Sequence, residues 1–399
     1  MSHTTVDITG MGLVCCLGAG PDEVFQKLCA GKCGIRPIDR FPTDEYPQKN
    51  GGQLTPDLEE KLRERFPDQD LAAAMVKDAG EQALKQAQRQ TDPSTPDPQL
   101  ALVLATNFGP MESLEWAWRE RIDVGTMDRD TFLVVDTFID DIAAYFGCGG
   151  PRLQLSLSCA SGAAAVAVAK DLITTGRAQR VLAIGYDALT EYCWCGLTNL
   201  RTITTDKMRP FDLNRSGTIF SEGAAAMLLQ KTAPDAEPLA VVAGAATNNN
   251  AFHMTAPAKE AEGSRMVMEA ALRDAQCKPE DVEHVCAHAT STKANDSTEA
   301  AALRNLFGKK LDTMTVGAHK SQLGHMMGAA GLAEAIVTVQ AMRAGIIPPT
   351  INHQTPDPEC NVDCIPRTAR NKTFRCAITN SAGIGGNNAA VLIRRSATS

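Results

Sequence analysis

Cys159 lies in the run Leu-Gln-Leu-Ser-Leu-Ser-Cys-Ala-Ser-Gly-Ala-Ala-Ala (153–165), between an apolar strand-like stretch and a small-residue helix. The first turn of a helix presents unpaired amides and the positive end of its dipole. Both favour the thiolate, the reactive form of the group. Two imidazoles join it: His288 in Ala-His-Ala-Thr-Ser-Thr (287–292) and His325 in Lys-Ser-Gln-Leu-Gly-His (320–325), each in a loop beside an expected helix. One nucleophilic sulfur with two hydrogen-bonding rings is an acyl-transfer site.

The elements that must bring these groups together read as an α/β protein. Short apolar runs at Ala101 to Thr106, Leu153 to Leu157, Val181 to Gly185, Ala224 to Leu229, Leu239 to Ala245, His284 to Ala287, Phe374 to Thr379 and Ala389 to Arg394 alternate with helical stretches. Runs of that length without polar alternation are strands covered on both faces. Val6 to Val14, broken by Asp7 and glycines, reads as a strand and turn and lacks the basic flank of a signal peptide. Gln88 to Gln99 and Lys231 to Pro238 read as loops, and the second gives the better boundary, dividing the chain into 1–237 and 238–399.

An internal repeat supports two related halves. Ser161 to Gly176 aligns without gaps on Ala330 to Gly345, both small-residue helices ending in glycine. In that register Cys159 faces Gly328, three residues after His325. Each half then brings a different group to one central site.

Composition narrows the function classes. A chain of 399 residues with 44% hydrophobic content can build a large core, and its net charge of −8 opposes a general attraction to nucleic acid or anionic lipid. No stretch is long and apolar enough to span a bilayer. Thirteen cysteines, an odd number without a small-domain framework, fit a reducing cytoplasm. The close pairs Cys29/Cys33, Cys193/Cys195 and Cys360/Cys364 lack the C-x-x-C spacing, so no metal site is expected.

Seven motifs now stand in order: Cys159-Ala-Ser-Gly, Arg209-Pro-Phe-Asp212, Ser221-Glu-Gly223, His253-Met-Thr-Ala-Pro257, His288-Ala-Thr-Ser-Thr292, Lys320-Ser-Gln-Leu-Gly-His-Met-Met-Gly-Ala-Ala-Gly331 and Asn380-Ser-Ala-Gly-Ile-Gly-Gly386. In this order and over nearly the whole chain they resemble the β-ketoacyl-acyl-carrier-protein synthases of the type II, elongating kind. The resemblance implies a thiolase-like fold, two duplicated α/β halves in αβαβα layers, and a homodimer.

It also implies roles. Cys159 would take an acyl group from the phosphopantetheine thiol of an acyl carrier protein as a thioester. His288 and His325 would donate to the enolate oxygen that forms as a malonyl carboxylate leaves as carbon dioxide. The acyl carbonyl would be held by the amides of Cys159 and Ile384. Lys320 and Glu334 would form a buried charge network beside the histidines, joined by Asp296 and Glu299. Thr290 and Thr292 would hydrogen-bond the pantetheine arm. No metal or redox cofactor is implied. His253 would sit in an entrance loop, and His3, His284, His319 and His353 are left as structural or loop residues.

The chain departs from the family in three places. The glycine-rich loop, normally Asn-Ser-Phe-Gly-Phe-Gly-Gly-Thr-Asn, has Ala382 and Ile384 where the family has its gate phenylalanines. Phe108 replaces a smaller aliphatic residue and Leu197 a phenylalanine, which reshapes the acyl pocket. Lys61, Arg63, Arg65 and Arg201 are the cations offered to an acidic carrier, while the usual Arg-Lys pair is replaced around Met127-Asp128-Arg129. A dedicated carrier and a specialised polyketide or unusual-lipid pathway follow as the alternative to bulk fatty acid synthesis. A non-catalytic chain-length-factor-like subunit of a heterodimer would lack Cys159, and a coenzyme A thiolase would need a second cysteine in the glycine-rich loop.

Overall fold

Each of the eight apolar runs becomes a strand in the computed structural model, which describes residues 5–124, 133–232, 237–254, 256, 258 and 261–396. With two further segments they give β1 (Val6–Cys15), β2 (Leu100–Ala105), β3 (Arg152–Leu155), β4 (Arg180–Asp187), β5 (Gly223–Lys231), β6 (Ala240–Asn249), β7 (His284–Cys286), β8 (Thr315–Gly317), β9 (Cys376–Gly383) and β10 (Asn387–Arg394). The two-residue strand Gly18–Ala19 pairs only with β1.

The strand order is β1-β5-β4-β2-β3 in the first half and β6-β10-β9-β7-β8 in the second. These are the same permutation of five strands. Directions repeat as well: β5 is antiparallel to β1 and β4, while β2 runs parallel to β4 and β3. In the second half β10 is antiparallel to β6 and β9, and β7 runs parallel to β9 and β8. Among the described residues the two sets join only where Val6–Ile8 pair with Ala240–Val242.

Helices α1 (Leu71–Gln86), α2 (Ser161–Thr174), α3 (Glu191–Thr198), α4 (Glu262–Asp274), α5 (Lys293–Phe307), α6 (Lys320–Leu323) and α7 (Ala330–Ala344) complete the elements used below. Helices α2 and α7 each pack against strands of both halves and against each other, whereas α1 covers β1, β5 and β4, and α4 covers β6, β10 and β9 from outside. The layering is therefore αβαβα. Side-chain size follows it: in β2, Ala101, Val103 and Ala105 face the central helices, and Leu100, Leu102 and Leu104 face the outer core. Small inward residues let two helices fit between the strand sets.

The repeated helices meet at equivalent positions. A Cβ on Gly162 would lie 2.7 Å from Gly328 O, and one on Gly331 would lie 2.7 Å from Ala163 N. Both helices are followed by left-handed glycines, Gly176 and Gly345.

The N-terminal reading as strand and turn is corrected. β1 is a continuous strand of ten residues with one irregularity between Ile8 and Gly10. Gly10 and Gly12 serve packing, because a Cβ at either would lie 1.9 Å from a carbonyl oxygen of α1, on Ala83 or Ala79. No helix among the described residues is long and apolar enough to cross a membrane.

Candidate active site

Between β3 and α2 the chain makes a tight turn. Ser158 takes a left-handed φ of 51°, and the Ser161 hydroxyl accepts from Leu157 N at 2.8 Å while donating to Ser158 O at 2.6 Å. Cys159 thus lies two residues before the helix and lines a cavity of about 500 Å³ together with His288, His325 and Ile384. The amides of Cys159 itself and of Ile384 face the sulfur. The glycine-rich turn comes that close because residue 383 lacks a side chain: a Cβ there would meet Leu157 O at 2.7 Å and Cys159 N at 3.1 Å.

The thiolate expectation is corrected by burial. Desolvation pushes the Cys159 thiol up to about 11, against the opposing pull of the Lys320 charge and the two amides. The resting group is the thiol.

His288 follows β7 in a loop with left-handed Ala289 and Ser291, and the left-handed region costs a residue with a Cβ on the order of 1–2 kcal/mol. Two buried carboxylates hold that loop. Glu299 accepts from the amides of His288 and Ala289, both at 2.8 Å, and from Asn380 Nδ2 at 2.6 Å. Asp296 accepts from Ser291 N at 3.0 Å and from Phe211 N at 2.9 Å. Neither makes a direct ion pair with Lys320, but Glu299 feels the Lys320 charge and Asp296 feels that of Glu299, so the pair lies in one buried set of charges with Lys320 and Glu334 and in addition clasps the backbone around His288. Burial raises both carboxyls, Asp296 to about 7.

His325 belongs to the second half in sequence but is fastened by the first. Its amide donates to Ile219 O at 2.8 Å, its carbonyl accepts from Ser221 N at 3.0 Å, and its ring stacks on Phe220 with centroids 5.5 Å apart. The His288 and His325 rings lie edge to face, 5.4 Å apart at 84°. Burial and the nearby Lys320 charge hold both well below the usual histidine range, so both are neutral.

Their tautomers follow from their partners. Lys320 Nζ, a donor only, stands 3.4 Å from His288 Nδ1 and 2.5 Å from Glu334 Oε1. Met327 N donates to His325 Nδ1 at 3.3 Å. With each Nδ1 accepting, the proton of each ring sits on Nε2. Burial raises Glu334 to about 7 despite the pull of Lys320.

Thr290, Thr292, Phe108 and Leu197 all line the same cavity. Thr292 also caps α5, accepting from Asn295 N at 3.2 Å, and its hydroxyl is 3.0 Å from that of Thr290. His253 is exposed and lines the cavity, while His284 and His319 are fully buried in the second half.

The cation set is partly corrected. Arg63 pairs with Glu59 at 2.9 Å and Glu112 at 2.6 Å, and Arg65 pairs with Asp78 and Glu81, so both are neutralised within the chain. Lys61 and Arg201 are exposed and make no ion pair among the described residues. Arg201 stands between Leu200 and Thr202, both on the cavity wall. Arg129 and its neighbours lie outside the described residues, as does His3.

Asp187 was not singled out by the sequence. Fully buried at the end of β4, it accepts from Thr106 Oγ1 at 2.6 Å, Phe108 N at 3.0 Å and Gly328 N at 2.7 Å. It therefore ties a cavity wall of the first half to the segment after His325. Burial raises its carboxyl to about 6. The available signal was an acid closing an otherwise apolar strand; nothing in the sequence marked Phe220 as a stacking partner. Among the described residues no group of three or more His, Cys, Asp or Glu side chains comes together as a metal site.

Residues 3–235 match the family described as beta-ketoacyl synthase, N-terminal domain, and residues 239–354 match beta-ketoacyl synthase, C-terminal domain. The chain is 31% identical to a 3-oxoacyl-[acyl-carrier-protein] synthase 2 of Staphylococcus aureus (strain COL), with 98% of each chain covered. It is 30% identical to the protein of the same name in Coxiella burnetii, covering 99% of both. Among solved structures, the ishigamide ketosynthase/chain length factor superposes with a TM-score of 0.90 at 29% identity, over 99% of this chain and 100% of that one.

Proposed function

The chain belongs to the β-ketoacyl synthase family, the condensing acyltransferases of fatty acid and polyketide synthesis, and we propose that Cys159, His288, His325 and Lys320 divide that reaction as follows. Cys159 Sγ attacks the thioester carbonyl of an acyl group borne by the phosphopantetheine of an acyl carrier protein. The oxyanion points to the amides of Cys159 and Ile384, and the sulfur proton leaves with the departing pantetheine thiol. Amides already aimed at the sulfur need no rearrangement, and one such donor is typically worth on the order of 10²-fold in rate.

The second substrate is malonyl on its carrier. The Nε2–H groups of His288 and His325 donate to its thioester oxygen, so the electron pair released with carbon dioxide collects on an oxygen held by two donors. The resulting carbanion attacks the acyl-Cys159 carbonyl. The carbon–carbon bond forms, the C–S bond breaks with its electron pair leaving on Cys159 Sγ, 3-oxoacyl-carrier departs, and the thiolate takes one proton from solvent to restore the resting thiol. Neutral imidazoles suit this step because each keeps its proton while stabilising the charge.

One observation carries the reading: both Nδ1 atoms are committed as acceptors, which leaves two Nε2–H donors in the cavity that holds Cys159. The chain then needs no cofactor of its own, takes the acyl carrier protein as partner, and works as a homodimer in the cytoplasm, where its thirteen thiols stay free. Ile384 and Ala382 support a specialised polyketide or unusual-lipid pathway with a dedicated carrier. The test is intact-protein mass spectrometry after incubation with acyl-carrier. Wild type and His288→Ala gain the acyl mass, but only wild type releases 3-oxoacyl product once malonyl-carrier is added. A Cys159→Ala protein that still becomes acylated overturns the scheme.

A further inference from the structure

The turn that follows His325 is strained where it matters. Met327 has a left-handed φ of 49°, a conformation that disfavours any residue with a Cβ, and its amide is the donor to His325 Nδ1. At 3.3 Å that bond is too long to hold a strained turn by itself. The next amide has the strong partner. Gly328 N donates to Asp187 Oδ2 at 2.7 Å, a charge-assisted bond and so roughly twice as strong as a neutral one. Only glycine permits the approach, since a Cβ on residue 328 would lie 2.8 Å from Asp187 Oδ2 and 2.8 Å from Thr106 Cα.

Asp187 is itself immobile. It closes β4 with no exposed surface, and its Oδ1 accepts from Thr106 Oγ1 at 2.6 Å, Asn107 N at 3.0 Å and Phe108 N at 3.0 Å. The Thr106 oxygen already accepts from Gly109 N at 2.8 Å, which leaves its hydrogen for Asp187. Donors therefore face both carboxylate oxygens, and the arrangement calls for the ionised form.

We infer that Asp187 is a positioning residue for malonyl decarboxylation: its carboxylate, reaching from the first half to Gly328 N, holds the Met327 amide on His325 Nδ1 and so keeps the ring proton on Nε2, directed into the cavity. The inference rests on the acyl-transfer reading above and adds a residue to its second step.

Asp187→Asn tests it, because the side chain keeps its shape but loses its charge, and only one of its two terminal atoms still accepts. In the full-length enzyme, mass spectrometry follows acylation of Cys159 from acyl-carrier, and carbon dioxide release follows the turnover of malonyl-carrier. The kcat for carbon dioxide release should fall about tenfold to 10²-fold with KM little changed. Acylation should hold or quicken, since the Asp187 charge opposes ionisation of the Cys159 thiol. Nitrogen NMR of histidine-labelled enzyme, with the His325 signals assigned by their loss in His325→Gln, should show a ring protonated on Nε2 alone in wild type and a mixture of tautomers in Asp187→Asn. Asp187→Ser, which leaves Gly328 N without its acceptor and adds no bulk, repeats the comparison if the asparagine variant does not fold. Mixed tautomers in wild type, a single tautomer in the variant, or acylation and carbon dioxide release falling by the same factor overturns the inference and leaves the acyl-transfer reading standing. Failure of the wild type to acylate Cys159 overturns both.

Discussion

Lys320 Nζ approaches His288 Nδ1 to 3.4 Å while holding Glu334 at 2.5 Å, all three side chains being buried. An ammonium with only donors dictates the tautomer of the ring beside it, and so decides which nitrogen carries the proton into the cavity.

Removing that control should separate stability from rate. Lys320→Met alone leaves Glu334 buried without its partner, a loss of about 3–5 kcal/mol in typical buried pairs. Lys320→Met/Glu334→Gln should recover most of that stability, yet malonyl decarboxylation should stay on the order of 10²-fold below wild type. Chemical denaturation and carbon dioxide release measure the two quantities. Recovery of both together would reduce Lys320 to a structural role.

Gly383→Ala tests the turn that carries the Ile384 amide. Its new Cβ would press on Leu157 O at 2.7 Å and Cys159 N at 3.1 Å, both backbone atoms. The turn must retreat from the sulfur, so acylation and condensation should both fall by roughly 10²-fold, the usual value of an oxyanion donor. Normal acylation in this variant would show that the amide does not serve the oxyanion.

Much of this was legible because it is local. Most of the eight apolar runs are legible as strands because burial on both faces leaves its mark within the run, whereas Leu153–Leu157 alternates with Gln154 and Ser156 as the half-exposed edge strand it is, and the repeat from 161 to 176 and 330 to 345 survives because both helices fill the same layer. Residue types at Cys159, His288, Lys320 and His325 announce their chemistry. What could not be read depends on distant partners. Arg63 is spent on Glu112, 49 positions away, and Gly12 meets α1 rather than turning the chain. Glu299 and Asp296 face backbone amides of a loop whose left-handed residues no local signal marks. The Cys159 thiol is raised by the surrounding core, whereas the sequence shows only the helix that would lower it.

Arg63 and Arg201 should respond oppositely to substitution. Arg63→Ala breaks two intramolecular pairs and should lower Tm while leaving KM for carrier-borne substrate near wild type. Arg201→Glu, at the cavity rim, should raise that KM several-fold, with the gap shrinking as salt is added, as for rim charges that steer association. Steady-state kinetics at two ionic strengths decides it; a larger KM effect at Arg63 would place carrier docking on the helix Pro56–Arg65.

Cys159 should alkylate late in a pH titration. Burial holds the folded thiol at about 11, above its ordinary value of 9.0, so it stays protonated where an exposed cysteine begins to ionise. Iodoacetamide labelling should rise about tenfold per pH unit from pH 8 to 10 and level only near 11. Lys320→Met, lacking the charge that pulls the thiol down, should shift the profile further up. A plateau near pH 7 would mean the thiolate is the resting form.

His319 provides a test of acid stability. It is fully buried, both ring nitrogens lack partners among the described residues, and burial followed by the Lys320 charge depresses its folded pKa to about 4 from 6.5. Below pH 6.5 the unfolded chain takes up a proton that the folded one refuses, so this group's contribution is complete above 6.5 and drains away as pH falls toward 4. Buried carboxyls such as Asp296 and Glu334, both raised to about 7, act in the opposite sense over much of that range. Total stability is therefore a poor readout, and the difference between wild type and His319→Phe isolates the histidine. That difference should move against wild type by roughly 3 kcal/mol between pH 6.5 and 4, at 1.36 kcal/mol per pKa unit. Urea unfolding at four or five pH values gives the curve, and a gap independent of pH would show that His319 is not held neutral.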